Sequence, residues 1–323
     1  MFALALSLAL VFAFTNGLHD ASNAIALLVA TRAARPVQAA LLAAVFNLLG
    51  PLLLGAAVAN TVGHIVVVDG SAGVAMIAAA LLAAVTWNLL TWARGLPASS
   101  GHALVGGLIG AGVVAGGAIH WAALTGVLVA LALSPVLGGA AGYATIRGLR
   151  GAGARATRRW RGPVRGGAWT TSAALAFGHG SNDAQKSVGV IAALLVADGR
   201  ATTLGSPTWA AAACAIALTL GTALGGWRIV RTVGRGIVHL HPLDGVAGQG
   251  SSAGVILAAS VLGAPVSTSQ VVASSVVGVA GGRRRWRHVR WAVVREMALG
   301  WTVTLPATAA IGAGALLVWE AVA

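Results

Sequence analysis

Apolar residues run through almost the whole chain, in stretches that approach or exceed the roughly 20 residues a helix needs to cross a bilayer. The clearest are 39–59, 74–92, 121–146, 209–229 and 289–317. Polar residues are confined to short connections and a few motifs, so the pattern predicts membrane helices and leaves no stretch for a soluble domain of ordinary size. The first eighteen residues are apolar without a basic leader or a small-residue cleavage site, and they read as a retained first helix. About ten segments emerge, five on each side of a Gly- and Arg-rich stretch at 148–168.

Composition agrees with the pattern. With 58% hydrophobic and 9% charged residues and a mean hydropathy of +0.86, the fold class is an all-α integral membrane protein. The net charge of +14 would point to nucleic acid in a soluble chain. Here the arginines lie at span ends, and the positive-inside rule accounts for them without a nucleic-acid partner. If ten segments alternate across the bilayer, every arginine except Arg200 falls on the cytoplasmic side, while Asp69, Asp198 and Glu320 fall outside with both termini. An odd number of crossings in each half makes the second half enter from the opposite face. The expected organisation is a first inverted repeat at 1–147, a basic cytoplasmic linker at 148–168 and a second repeat at 169–323. That linker either touches anionic headgroups or is merely solvated. A single cysteine, Cys214, excludes an internal disulfide.

One polar motif occurs twice inside apolar surroundings, as NGLHDASN at 16–23 and HGSNDAQK at 179–186. Two further pairs follow in the same order: Asn60-Thr-Val-Gly63 with Arg231-Thr-Val-Gly234, and the segments after Pro97 and Pro265. Their separations of 163, 171 and 168 residues are nearly constant, which indicates duplication of a whole unit. Asp20 and Asp183 each sit deep in a span, where an ionised carboxylate must face protein or water and find a partner. Gly17 and Gly180, flanked by polar residues, are expected to interrupt their helices and free carbonyls for an ion. Carboxylates beside amide oxygens suit Na⁺, whereas a desolvated Asp or a neighbouring His suits H⁺. The residues leave both open. Pro97 and Pro265 precede Ser99-Ser100 and Ser267-Thr268, a helix-start signature that presents backbone N–H groups and a positive dipole end. Two such ends meeting at membrane depth would hold an oxyanion. The plainer alternative is that these hydroxyls only let helices pack closely.

The ordered set resembles the Pit family of inorganic phosphate transporters. NGLHDASNAIALLVATRAARP and AVFNLLGP are similar to the family's first half; HGSNDAQKSVGVI, LGGWRIVRTVG, APVSTSQ and WTVTLP are similar to its second. The resemblance implies an inverted-repeat secondary transporter with broken helices or re-entrant hairpins. It is no enzyme and needs no cofactor. The implied activity is symport of inorganic phosphate, free or as a metal complex, across the cytoplasmic membrane, driven by H⁺ or Na⁺. It assigns Asp20, Asn23, Asn182 and Asp183 to cation coupling, with Na⁺ held there if Na⁺ is the ion. Ser99, Ser100, Ser267, Thr268 and Ser269 become phosphate contacts, and His19, Asn47, His102, Gln185, Lys186, Gln249 and Gln270 supporting residues. Lys186 either pairs with Asp183 or substrate, or snorkels to an interface. Gly101, Gln249 and Gln270 depart from the family pattern, where a hydroxyl residue, a glutamate and a histidine are usual. A sulfate permease of the same fold, an intramembrane metalloenzyme around His19, Asp20, His179 and Asp183, and a passive anion channel are the competing readings. The glycines of 106–117 favour close helix contact, and a homodimer is left open.

Overall fold

The computed structural model describes residues 1–67, 70–116, 119–152 and 160–322. Among them lie twelve α-helices: α1 (Phe2–Ala30), α2 (Pro36–Leu53), α3 (Ala57–Gly63), α4 (Gly70–Arg94), α5 (Ser100–Val114), α6 (Trp121–Ala152), α7 (Arg161–Ala197), α8 (Thr208–Leu224), α9 (Trp227–Arg231), α10 (Pro242–Val261), α11 (Thr268–Gly282) and α12 (Trp291–Val322). Ten of these are long and two, α3 and α9, are short. Five meet both the length and the apolarity needed to cross a membrane: α1, α2, α4, α6 and α12. Large apolar side chains such as Leu41, Val45, Val136, Val303 and Leu317 are exposed on them, as a surface bathed in lipid requires. Trp121, Trp209, Trp227 and Trp291 stand at helix starts and Trp92 and Trp319 near helix ends, where amphipathic rings sit at the membrane interface. The chain is a multi-pass membrane protein.

The apolar runs at 39–59 and 209–229 each break once. Both breaks fall at a Leu-Gly step in which the glycine adopts positive φ, +89° at Gly55 and +69° at Gly225, a conformation that a side chain would strain. Each break is followed by a short segment, α3 or α9, the latter running on into a π-helical turn at Thr232–Gly236.

Contrary to expectation, the backbone does not unwind at the duplicated motif. α1 is continuous through Gly17 and α7 through Gly180. The glycines serve helix approach: a Cβ on Gly17 would strike the backbone of Leu218 in α8, and one on Gly180 the backbone of Asn47 in α2. The partner helices answer with Gly221 against Phe14 and Gly50 against Phe177. α1 therefore packs on α8 and α7 on α2, each across the midpoint of the sequence. The exchange continues at the periphery, where α5 packs on α12 and α11 on α6. Gly106 and Gly110 of α5 seat against Leu305 and Ala309 of α12. These glycines are thus spent inside the molecule and give no support to a dimer face.

α1 and α7 form the centre. Residues 15–28 and 178–194 are buried on every side. Ala5, Phe12, Ile191 and Leu194 share one apolar core. Ile25, Leu27, Leu175 and Ala176 share a second. The two helices thus run antiparallel, and their polar motifs form a band between the two cores. Of the expected linker 148–168, residues 153–159 lie outside the described residues. α6 and α7 run into it from either side, because Arg is a good helix former and Pro163 falls in the first turn of α7, where proline is tolerated.

Candidate functional site

Each motif helix brings its carboxylate to the same point. An oxygen of Asp20, a ring nitrogen of His179 and an oxygen of Asp183 all lie within 4.8 Å of one another, and all three residues are buried. Two ionised carboxylates at that spacing repel by roughly 3 kcal/mol at an effective dielectric of 20, so the arrangement requires positive charge or strong donors around it. The donors come from the hydroxylated helix tips. Ser100 Oγ donates to Asp20 Oδ2 at 3.0 Å and lies 2.8 Å from Asn16 Oδ1. Thr268 Oγ1 donates to Asp183 Oδ2 at 2.8 Å. His19 Nδ1 approaches Asp20 Oδ1 at 3.3 Å, and His179 Nε2 stands 3.0 Å from Asp183 Oδ2.

The tips themselves meet. Ser99 and Ser267 are the N-caps of α5 and α11, accepting from the backbone N–H of His102 and Gln270. Ser267 Oγ also donates to Ser99 Oγ at 2.9 Å, and Ser269 Oγ to the carbonyl of Ala98 at 3.0 Å. Both helices therefore point their positive ends at one buried place. Trp301 of α12 holds the first tip by donating to Pro97 O, and Ser134 of α6 holds the second by accepting from Ser267 N–H. The void beside the tips, bounded by Gly101, Lys186 and Pro265, measures about 10 Å³, room for at most one water. An anion with four oxygens does not fit this void while Ser267 is bonded to Ser99.

The remaining expected residues divide. Asn23 is central, its Nδ2 donating across the molecule to Thr268 Oγ1 at 3.3 Å. Lys186 is central too, with Nζ on Asp183 Oδ1 and Val266 O; it does not snorkel, for only 3% of its side chain is exposed. Asn47 binds His179 Nδ1 through Oδ1 and donates to Thr222, joining α2, α7 and α8. His102 closes back on its own cap Ser99, and Gln270 stays beside Ser267. Asn182 faces away from the carboxylates and donates to Ser260 Oγ and Ala264 O near the end of α10. His19 does the equivalent on the other side, meeting Thr91 near the end of α4. Gln185 accepts from Val58 N–H and Ala59 N–H and so caps α3, a short helix with no cap of its own. Gln249 lies about two helical turns from Asp20, among Leu28, Ala168 and Thr171. Sequence reasoning missed Ser134 and Trp301, which brace the tips, and Thr222 and Thr91. Trp301 opens the WTVTLP string, which gave no hint of its role, and no local pattern marks the other three, since their partners lie far away in the chain.

The family model described as the phosphate transporter family matches residues 16–161 and again 152–312. The chain belongs to the phosphate transporter family. A protein of Rhizobium meliloti (strain 1021) described as a probable low-affinity inorganic phosphate transporter is 39% identical over 315 residues, covering 95% of this chain and 93% of its own. A Bacillus subtilis (strain 168) protein with the same description is 38% identical, covering 94% of this chain and 93% of its own. Among solved structures, one titled the sodium-dependent phosphate transporter superposes with a TM-score of 0.90 over 100% of this chain and 99% of that one, at 24% identity. The family and these relatives are transporters, not enzymes. The metalloenzyme reading is thereby set aside, although Asp20, His179 and Asp183 stand close enough to share an ion.

Proposed function

We propose that the protein carries inorganic phosphate into the cytoplasm by cation-coupled symport and alternating access. Two inverted repeats, 1–147 and 169–323, enclose the site, with every arginine except Arg200 and the linker 148–168 on the cytoplasmic side and both termini outside. One observation carries the reading: two carboxylates and two hydroxylated helix tips, one of each from either half, converge on one buried point. The hydrogen bonds supply a coupling rule. Ser100 and Thr268 spend their hydrogens on Asp20 and Asp183, bonds of about 1.5–3 kcal/mol each because the acceptor is charged. A cation that takes over a carboxylate releases the hydroxyl hydrogen for an oxyanion, and its charge lowers the repulsion that the anion meets. Once the Ser99–Ser267 bond opens, Ser99, Ser100, Ser267, Thr268 and Ser269 and the two helix dipoles surround the anion with donors. Rocking of the halves then exposes anion and cation together to the other side.

The test is radiolabelled phosphate uptake into proteoliposomes, with Na⁺ and pH gradients imposed separately and sulfate as competitor. Accumulation against the phosphate gradient should appear with one of the two cations and collapse when that gradient is dissipated. Uptake that only equilibrates phosphate identifies a channel, and stronger competition by sulfate than by unlabelled phosphate identifies a sulfate permease.

A further inference from the structure

The two halves treat their aspartates differently: the histidine near each carboxylate comes from a different register position, His19 beside Asp20 and His179 beside Asp183, and the one difference in fixed charge is Lys186. Registering Asp20 on Asp183 places Asn23 on Lys186. In the first half the amide of Asn23 turns to Thr268 and leaves Asp20 with Ser100 and His19. In the second half the Lys186 ammonium sits directly between Asp183 Oδ1, at 2.5 Å, and the carbonyl oxygen of Val266, at 2.7 Å. A carboxylate oxygen facing a backbone carbonyl is the donor set of a hard cation. Val266 precedes the N-cap of α11, so this bridge fastens the second tip to α7. The equivalent carbonyl in the first tip, Ala98 O, is met by the neutral hydroxyl of Ser269. With His19 and His179 as neutral imidazoles, the formal charges at the centre are Asp20, Asp183 and Lys186, and the ammonium cancels one carboxylate and leaves a single negative charge for an exchangeable ion.

We propose that Lys186 is a tethered cation, permanently filling in the second half the place that a coupling cation takes at Asp20 in the first. The chain then moves one cation fewer per phosphate than a version with asparagine at this position, and the α11 tip stays latched to α7 while the α5 tip is released and recaptured by the travelling ion. This rests on the symport reading above.

The decisive variant is Lys186→Asn, which copies the first half. The purified full-length protein in detergent should bind one more ²²Na⁺ per chain than wild type. In proteoliposomes its phosphate uptake should depend on Na⁺ with an order higher by one, so that doubling Na⁺ below saturation raises the rate by an additional factor of about two by mass action. This holds whether the wild type runs on H⁺ or Na⁺. An unchanged Na⁺ count overturns the proposal. So does a variant in which only the phosphate concentration for half-maximal uptake rises, because Lys186 would then be touching the anion. The charge-neutral double variant Asp183→Asn/Lys186→Asn covers the case in which the single variant does not fold. It should bind as many Na⁺ as wild type, and loss of one Na⁺ overturns the proposal, since Asp183 would then hold an exchangeable ion beside the lysine. Wild-type accumulation that survives collapse of every cation gradient would remove the symport reading itself, a result distinct from an unchanged Na⁺ count in a coupled transporter.

Discussion

The motif helices α1 and α7 are alike in everything that concerns shape and unlike in charge. Both carry a glycine one turn before the aspartate, pressed on the backbone of a helix from the other half. Both receive a hydroxyl from a helix tip on that aspartate, and both send the residue before it to the end of a neighbouring helix, His19 to Thr91 and Asn182 to Ser260. Only α7 answers its carboxylate with an ammonium. Duplication preserves close-packed geometry because a buried backbone contact tolerates no added atom. Charge can diverge, provided each buried charge keeps a partner.

The largest effect should come from removing the carboxylates. Asp20→Asn and Asp183→Asn should each lower gradient-driven phosphate uptake to the background of empty liposomes. Their stabilities should separate: Asp183→Asn strands a buried ammonium, at about 3–5 kcal/mol, whereas Asp20→Asn loses only hydrogen bonds to its charge, about 1–3 kcal/mol. Thermal unfolding in detergent reads the difference, and equal losses would break the comparison between the two halves. Next come the hydroxyl donors. Ser100→Ala and Thr268→Val each remove a charge-assisted bond of about 1.5–3 kcal/mol, and both should raise the phosphate concentration for half-maximal uptake. Thr268→Val should cost more, because Asn23 loses its partner as well. The smallest effect is the one expected to be symmetric. Gly17→Ala and Gly180→Ala push a methyl group into the backbones of Leu218 and Asn47, an overpacking of about 1–3 kcal/mol. Similar drops in melting temperature for the two sharpen the view that shape is shared; a harmless Gly17→Ala beside a crippling Gly180→Ala would refute it.

Much of the fold was legible because lipid imposes long apolar runs, and α2, α4, α6, α8 and α12 fall on the five clearest of them. The short helices were not. Leu54-Gly55 and Leu224-Gly225 stop α2 and α8 inside stretches that read as single apolar runs, and a glycine of positive φ stands at each break. At Gly17 and Gly180 the same residue type misled, because local propensity treats glycine as an interruption while its use here is set by a helix some 200 and 130 residues away. The aspartates, the serines and the order of the motifs could be read directly. Which helix each would meet could not, since partner choice is tertiary. Gln185 illustrates the point: its sequence neighbours are site residues, yet its side chain serves the N-terminus of α3.

The exchange of partners between the halves also governs how the molecule is made. α5 leaves the ribosome long before α12 supplies the surface against which Gly106 and Gly110 lie. Until α12 is made, that small-residue face has only lipid or other protein beside it, and neither half can complete its packing alone. Assembly of this transporter is therefore a late, concerted insertion of one half into the other, and a message truncated shortly before α12 yields an open clasp rather than a smaller working machine.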